Sequence, residues 1–588
     1  MTADQSHSSA IQLNDVVIGC AAAAILVCVN IVGGMRSGLS TFIPYDPVGN
    51  LLTAQSLQTN IVYMIAAPFH IDSGLWIALT AAVLRFVGDD YWKYYLMSFW
   101  HSALLLTISC WIGRYWASVR GMIFFVLATS LLSPLAYTLV TPIRGLLQPL
   151  GMADFIWPSA PGMESEPWGD WANAILKPDL LAGALVALSI TLISLGPSNI
   201  TRGRFVASGL AISLAVMAKG HFMPVYLAGW GAAIIATSLC LKEDGPAYVQ
   251  RSYWALFTMG PLLILWMRSG AFAGAVAYIL SSYSHPLHNS DLYQQPLLGV
   301  RFYLYAGADV IGFSVYLVVV VALAGLIFGG AKINWALKAA LPFLAAATVM
   351  AIPVMLNPAG KNFPNGLPVY VSLWVAIIVF CGSILFSARR LRIISFLVTL
   401  ACILSFGLVA AGVHAMAGTM NDKSEVEDVR RDREILYELA QSIVSSKARS
   451  VITPNGATGI DANISFEVRK IIRRSGDRMP NVFSVLSLYW NPNSLDRDGA
   501  GESQAQDQIL SSDAVLVIPG GPQTFPFLGD YLAHVYELTE RIVSSSDSPF
   551  VLAREFSLGP TTATWLYFPA RDHKMLIRLY IKPHLSHP

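Results

Sequence analysis

Repeated apolar runs of about twenty residues constrain the fold of this chain more than any other feature. A helix that spans a bilayer needs about 20 consecutive and mostly apolar residues, and such runs recur between residues 15 and 417. Only 13% of the residues are charged and 55% are hydrophobic, whereas a soluble globular protein carries about 25% charged residues. The sequence therefore predicts a polytopic α-helical membrane protein.

The apolar runs predict about eleven transmembrane helices. They cover residues 15–35, 93–113, 121–140, 179–196, 205–218, 221–241, 254–273, 309–329, 335–356, 367–387 and 393–417. The run at 205–218 is short for a span, which predicts a tilted or broken helix there. Residues 73–88, SGLWIALTAAVLRFVG, are too interrupted for a span and predict a helix lying in the membrane interface.

Basic residues mark every second short loop, beginning with the pair Arg114 and Arg120. Short cytoplasmic loops are enriched in lysine and arginine, so these loops are predicted to face the cytoplasm. The alternate loops then face outward, and they are residues 36–92, 141–178, 274–308 and 357–366. With an odd number of spans, the N-terminus is predicted to be cytoplasmic and everything after residue 418 extracytoplasmic.

Residues 418–588 change in character and predict a soluble extracytoplasmic α/β domain that follows a membrane domain at 1–417. Helical patterns open it, in NDKSEVEDVRRDREILYELAQSIVSS, and recur in FLGDYLAHVYELTERIVSS. Strand-like runs are RSVIT, NVFSVLS, DAVLVIPGG, PFVLAREF, TATWLYF and MLIRLYI. The segments GDRMP and SLDRDGAGESQAQD predict loops.

Charge and cysteine content exclude several classes of function. The net charge of +2 gives no indication of nucleic-acid binding. All six cysteines lie inside apolar runs, without metal-ligand or disulfide spacing. His285, His288 and Asp291 form a His-x-x-His-x-x-Asp pattern, which is a weak metal signal. No cofactor is predicted firmly, and a divalent cation is the one candidate.

Asp46 stands between Pro44 and Pro47, directly after the first apolar run. One interpretation is a turn residue, since aspartate next to proline is common in turns. The other is a catalytic carboxylate at the membrane surface, because a carboxylate can take a proton from an acceptor hydroxyl. The following LLTAQSL predicts a short interfacial helix. Position alone leaves both interpretations open.

Cations on the predicted outer face offer a means of holding a phosphate. Lys219 and His221 lie in MAKGHFMP, between two apolar runs, where the alternative is a lysine whose ammonium reaches to the membrane surface. Lys177 and Asp179 open an apolar run, where the alternative is an ordinary helix start with proline in its first turn. Further candidates are His70, Arg144 and Arg301.

Over residues 15–240 the order of these features resembles the GT-C class of polyprenyl-phosphate-dependent glycosyltransferases. Asp46 follows the first span, His70 precedes an interfacial helix, FVGD follows at 86–89, and the next span ends at Arg114. The pattern resembles in particular the protein O-mannosyltransferases and the lipid A aminoarabinose transferase. It implies an outward-facing active site in the first outer loop, at 36–92.

The resemblance implies an inverting transfer with Asp46 as general base, and a bacterial inner-membrane location. The donor would be a polyprenyl-phosphate sugar in the lipid bilayer, and the acceptor a cell-envelope glycan or lipid. Pro47 follows Asp46, so the paired Asp-Glu of the mannosyltransferases is absent. A partner acid would come from the second outer loop, where the options are Glu164, Glu166 and Asp170.

Two other functions stay open. A lipid or polysaccharide transporter predicts inverted repeats and broken helices in both halves of the chain, and no such symmetry is visible. A glycan polymerase or ligase uses a lipid-diphosphate donor and favours a large outer loop late among the spans. Here the longest outer loops, 36–92 and 141–178, come early. For a glycosyltransferase, the C-terminal domain is predicted to bind or position a glycan or a lipid-linked acceptor, with a protein partner as the alternative. A transporter would leave this domain unexplained.

Overall fold

The computed structural model of the chain describes most helices of the apolar part and most of the C-terminal α/β part. The described residues are 11–36, 45–88, 93, 95–130, 149, 176–196, 200–284, 303, 333–356, 363–387, 423–453, 460–475, 480–484, 500–519, 529–560, 562 and 574–583, together with scattered helical positions between 320 and 327 and between 396 and 403. Within them the chain is mostly helical, with one small sheet near the C-terminus.

Five helical segments of the described residues are long and apolar enough to cross a membrane. They are Leu13–Ile31, Tyr95–Trp116, Gly220–Met267, Ile333–Leu356 and Asn365–Phe386. Shorter apolar helices are Ile61–His70, Gly74–Val87, Val119–Ser130 and Pro178–Ser194. The structure thus supports a helical membrane protein, and its described part shows five candidate spans where the sequence predicts eleven.

The described apolar part contains thirteen α-helices with defined bounds. They are α1 (Leu13–Arg36), α2 (Tyr45–Leu57), α3 (Ile61–His70), α4 (Gly74–Val87), α5 (Ser98–Ser130), α6 (Pro178–Ser194), α7 (Arg202–Ala218), α8 (Met223–Leu241), α9 (Gly245–Ser252), α10 (Leu256–Met267), α11 (Gly270–Ser284), α12 (Ile333–Leu356) and α13 (Phe363–Ser387). One large apolar core joins α2 and α4 to the longer helices.

The first outer loop contains more helix than the sequence predicts. The helix expected at 73–88 is confirmed as α4, which buries Trp76, Ile77 and Leu84. The helix expected at LLTAQSL is confirmed as α2, but it begins at Tyr45 and places Asp46 in its first turn. Helix α3 was not predicted, and Asn60 caps it by accepting hydrogen bonds from two backbone N–H groups of its first turn.

The boundaries of two predicted segments need correction. The span predicted at 254–273 ends at Met267, and α11 then occupies residues of the predicted outer loop 274–308. A short break at Arg268 and Ser269 separates the two helices, since neither continues the apolar pattern. The run at 205–218, predicted to be a short span, belongs to a helix that begins at Arg202.

The helical segment α5 folds back on itself, so that the described parts of two predicted spans, residues 98–113 and 121–130, form an antiparallel pair. The hydroxyl oxygens of Ser109 and Thr129 lie 2.6 Å apart, although 20 residues separate them. A straight helix of that length would hold them about 30 Å apart. A Cβ on Gly113 would lie 2.4 Å from the carbonyl oxygen of Gly121, so the turn needs glycine there.

Segments that the sequence assigns to the same side of the membrane meet in the structure. At one end of the helices, Arg114 in the turn of α5 makes two hydrogen bonds of 2.8 Å to Asp15 at the start of α1. Nearby, Arg204 at the start of α7 donates to the carbonyl of Leu195, at 2.7 Å. Both arginines come from loops predicted to be cytoplasmic. Segments predicted to face outward meet at a separate polar cluster, which is described in the next subsection.

The C-terminal part is an α/β unit with a mixed sheet. Its elements are α14 (Lys423–Ser445), β1 (Ser450–Thr453), α15 (Ile460–Ser475), β2 (Asn481–Ser484), α16 (Ala500–Ser511), β3 (Ala514–Val517), α17 (Gly529–Ser544), β4 (Val551–Leu558) and β5 (Met575–Ile581). The strand order is β2-β1-β3-β5-β4. Strands β2, β1 and β3 are parallel, and β5 is antiparallel to both of its neighbours.

Most predictions for this unit hold. Strands form in every predicted run except TATWLYF, most of which lies outside the described residues. The predicted loop SLDRDGAGESQAQD is partly wrong, because α16 covers Ala500–Ser511. Ala505 and Ile509 of that helix are fully buried in an apolar cluster on one face of the sheet. This burial stabilises a helix whose polar sequence gives little apolar pattern.

Candidate functional site

Charged and polar side chains from four separate segments meet at one end of the apolar helices. The polar cluster consists of Asp72, Asp179, Lys219, His221 and Asn365. Asp72 lies in the α3–α4 turn, Asp179 in the first turn of α6, and Lys219 and His221 between α7 and α8. Asn365 lies in the first turn of α13. Charges among apolar helices are costly and tend to mark a functional site.

Lys219 is the centre of the polar cluster. It is 6% exposed and forms an ion pair with Asp179, which is 1% exposed. Its ammonium also donates to Oδ1 of Asn365 at 3.0 Å and lies 4.7 Å from the centre of the Phe222 ring. The interpretation of Lys219 as a lysine that reaches to the membrane surface is therefore wrong. Instead, three partners hold its charge at a fixed position inside the protein.

Asp179 is both a residue of an ordinary helix start and a member of the polar cluster, the two roles between which the sequence did not decide. Pro178 occupies the first turn of α6 and Asp179 follows it, which confirms the predicted helix start. A carboxylate there interacts favourably with the positive end of the helix dipole. The same carboxylate is the ion partner of Lys219. Lys177, at the N-cap position of α6, is also buried.

Asp72 fixes the orientation of His221. Oδ2 of Asp72 lies 3.2 Å from Nδ1 of the His221 imidazole. Its other oxygen accepts hydrogen bonds from the backbone N–H groups of Gly220, at 3.1 Å, and Ser73, at 3.0 Å. Burial acts to raise the pKa of Asp72, but the hydrogen bond and charge of His221, with the two backbone N–H groups, outweigh it and hold that pKa below its usual value.

Gly220 lets the chain pass close to Asp72. A Cβ at this position would lie 2.3 Å from the Trp266 ring and 3.0 Å from Oδ1 of Asp72. A side chain here would push the turn away from the carboxylate, so that the hydrogen bond from the backbone N–H would be lost. The glycine of MAKGHFMP is therefore a structural requirement for the Asp72–His221 pair.

The geometry of the polar cluster suits proton transfer and anion binding. A carboxylate next to Nδ1 favours the imidazole tautomer with hydrogen on Nδ1, which leaves the lone pair on Nε2. His221 can thus accept a proton, and once protonated it adds a positive charge beside Lys219. The ammonium of Lys219 and the imidazole of His221 are each held by an acid, so their positions are fixed before a ligand binds.

The remaining predicted site residues are distributed as follows. The side chain of Asp46 lies outside the described residues, although its backbone belongs to the first turn of α2. His70 is exposed in the last turn of α3 and is not part of the polar cluster. Outside the described residues lie Arg144, Glu164, Glu166, Asp170, Arg301, and the histidine motif of His285, His288 and Asp291. No group of three metal-ligating side chains occurs among the residues that the structure describes.

Two members of the polar cluster, Asp72 and Asn365, are not among the predicted site residues. Asp72 is 149 residues from its partner His221, and Asn365 is 146 residues from Lys219. No spacing rule connects residues so far apart in one sequence. The sequence contains one weak indication that Asp72 and Asn365 belong to the site, because both lie in segments predicted to face outward.

Comparison with known proteins adds no assignment. No protein-family model matches the chain, and no curated protein is significantly similar to it. The resemblance to the GT-C class is therefore an expectation from the sequence alone.

We expect the Asp72→Asn variant to lose a contribution to stability that depends on pH. The folded-state pKa of Asp72 is lowered, so its carboxylate stabilises the fold above its unfolded pKa, about 3.9. That contribution is lost as the pH falls through the lower, folded-state pKa. The difference in thermal midpoint between wild type and variant should be full at neutral pH and should shrink in acid. Asp244→Asn, at an exposed carboxylate, is the matched control and should show no such difference.

Proposed function

We propose that the protein is an integral-membrane glycosyltransferase that moves a sugar from a polyprenyl-phosphate donor to a cell-envelope glycan or lipid. The observation that carries the proposal is the polar cluster at one end of the apolar helices. It holds Lys219 and His221 in fixed positions among helices suited to a membrane. A lipid-linked phosphate approaching from the bilayer needs cations at this depth.

The proposed topology has eleven spans, a cytoplasmic N-terminus and an extracytoplasmic polar cluster in a bacterial inner membrane. It is supported by the meeting of four segments that the sequence assigns to outer loops or their borders, at Asp72, Asp179, Lys219 and Asn365. Contact between α15 and α2 supports an α/β unit on the same side as the first outer loop. The basic loops at Arg114 and Arg204 then face the cytoplasm, as short basic loops do.

In the proposed reaction Asp46 removes the proton of an acceptor hydroxyl as its oxygen attacks the anomeric carbon of the donor sugar. The bond between that carbon and the phosphate oxygen breaks from the opposite side, so the anomeric configuration inverts. The leaving polyprenyl phosphate keeps the bonding electron pair. Lys219 stabilises this developing charge, and His221 is proposed as a further phosphate ligand beside it; this is the step where a fixed cation lowers the barrier most.

The ion pair of Lys219 with Asp179 bears directly on this role. Asp179 compensates part of the lysine charge, which makes burial of the ammonium possible. An arriving phosphate would share the ammonium with Asp179 and Asn365. Arg144 and Arg301 are proposed as further phosphate ligands. The second acid is proposed to be Glu164, Glu166 or Asp170.

The experiment that tests the function is a donor panel. Purified protein in lipid vesicles is incubated with polyprenyl-phosphate sugars that differ in the sugar, and release of polyprenyl phosphate is measured. We expect release from one class of donor, and faster release when a glycan or lipid acceptor is added. Movement of the intact lipid across the bilayer without cleavage would overturn the proposal in favour of a transporter. Cleavage of lipid-diphosphate donors alone would overturn it in favour of a polymerase or ligase.

A further inference from the structure

Helix α2, which carries Asp46, is weak on its own. It has 13 residues, and isolated helices shorter than about 12–15 residues are marginal in water. Its sequence, YDPVGNLLTAQSL, includes glycine, asparagine, threonine and serine, all of which favour helices less than alanine does. The position and order of α2 therefore depend on what packs against it.

Two arginines of the C-terminal α/β unit bind the C-terminal half of α2. Arg469 donates from Nη1 to the carbonyl of Leu52 at 2.7 Å, and Arg473 donates from Nη2 to the carbonyl of Gln55 at 3.0 Å. Both arginines lie on α15, one turn apart. The Gln55 carbonyl is among the last four of α2, which lack intrahelical donors, and the Leu52 carbonyl lies one turn before it. Both lie towards the end of the helix that carries partial negative charge, where arginine is a favoured partner.

Apolar contacts complete the attachment. Ala462 and Phe466 of α15 belong to the same apolar core as Leu51 and Ala54 of α2. On another side α2 packs against α4, and Arg85 of α4 donates to the carbonyl of Gln58, at 2.9 Å, just beyond the end of α2. Helix α2 is thus held between the membrane part and the α/β unit.

The two arginines of α15 are close enough to repel each other. Burial and the positive charge of Arg473 together lower the pKa of the Arg469 guanidinium. Placing two guanidinium groups side by side is therefore unfavourable unless their partners carry negative charge. The partial negative charge at the C-terminal end of α2, where Arg469 and Arg473 donate to the carbonyls of Leu52 and Gln55, offsets part of this repulsion.

We propose that the C-terminal α/β unit is a positioning element for the catalytic carboxylate, and that Arg469 and Arg473 are its positioning residues. The inference rests on the proposed function, since it takes Asp46 to be the general base. Asp46 precedes Leu52 by six positions on the same helix, which corresponds to about 9 Å along its axis. A helix held at one end by two arginines transmits its position to the other. A misplacement of about 1 Å can lower turnover about 100-fold.

The test uses the full-length protein with Arg469→Met and Arg473→Met, separately and together. Methionine keeps much of the apolar stem and removes the guanidinium donors. We expect the double variant to lose about 10- to 100-fold in kcat, with donor affinity unchanged. Lysine at both positions should restore part of the loss. Arg541→Met is the matched control, because this arginine of the α/β unit is 66% exposed and pairs only with Glu502 among the described residues.

Hydrogen exchange of α2 gives a readout that does not depend on turnover. We expect amides of residues 45–57 to exchange at least about tenfold faster in the double variant. Unchanged exchange, or unchanged kcat, would overturn the positioning role. Equal losses of donor affinity and kcat would also overturn it, because they indicate general disruption. A wild-type protein that cleaves no polyprenyl-phosphate sugar would instead overturn the proposed function, while the exchange result still tests the attachment of α2.

Discussion

We expect the Asp46→Asn variant to bind its lipid donor normally and to lose about 10²- to 10⁴-fold in transfer rate. Asparagine has the size of aspartate, so the first turn of α2 should form as before. Its amide cannot accept the proton of the acceptor hydroxyl, so the attacking oxygen would keep its proton. Steady-state transfer with the donor identified in the panel, together with donor binding measured separately, distinguishes these effects.

Helix α2 gives this prediction its physical basis. Asp46 lies in the first turn of a helix whose C-terminal half is anchored on both sides. A general base must lie within hydrogen-bond distance of the proton that it removes, which requires a well-ordered support. A structural role for Asp46 does not conflict with a catalytic one. An acid in the first turn of a helix interacts favourably with the helix dipole, and the same carboxylate can still accept a proton.

Asp244→Asn serves as the control for the catalytic prediction as well. Asp244 is an exposed carboxylate between α8 and α9, and the same chemical change there should leave the transfer rate at the wild-type level. If Asp46→Asn retained wild-type turnover, the base would lie elsewhere. His221, oriented by Asp72, would then be the first alternative, and the loss of activity should appear in His221→Gln.

Local features were predictable from the sequence because their signals are local. The apolar run at 73–88 predicted α4, and short runs rich in β-branched and other apolar residues predicted β1, β3 and β5. The turn of α5 followed from basic residues between two apolar runs. Helix α16 was missed because its stability comes from the burial of two side chains against the sheet, which a polar sequence does not reveal.

Only some members of the polar cluster could be predicted from the sequence, because the contacts between them are not local. Lys219, His221 and Asp179 were recognisable as charges beside apolar runs, where charge is unusual. Their partners depend on which helix ends meet, and sequence separations of 148 and 149 residues carry no local pattern. The attachment of α15 to α2 is a stronger case, since its hydrogen bonds join residues more than 400 positions apart. The sequences of α2 and α15 contain no pattern that predicts these hydrogen bonds.

The second large effect is expected at the buried ion pair of the polar cluster. We expect Asp179→Leu or Lys219→Met alone to destabilise the protein by about 3–5 kcal/mol, because each leaves one buried charge without its partner. The apparent thermal midpoint should fall by several degrees. The measurement is thermal unfolding in detergent at neutral pH, compared with that of Asp244→Asn.

The double variant separates stability from function. With Asp179→Leu and Lys219→Met combined, no charge of the pair remains buried, and replacing a buried pair with apolar residues is often neutral or stabilising. The thermal midpoint should therefore return close to the wild-type value. Transfer should not return, because no ammonium is left to stabilise the departing phosphate. Recovery of both properties would show that the pair is structural only, whereas recovery of stability alone supports Lys219 as a donor-phosphate ligand.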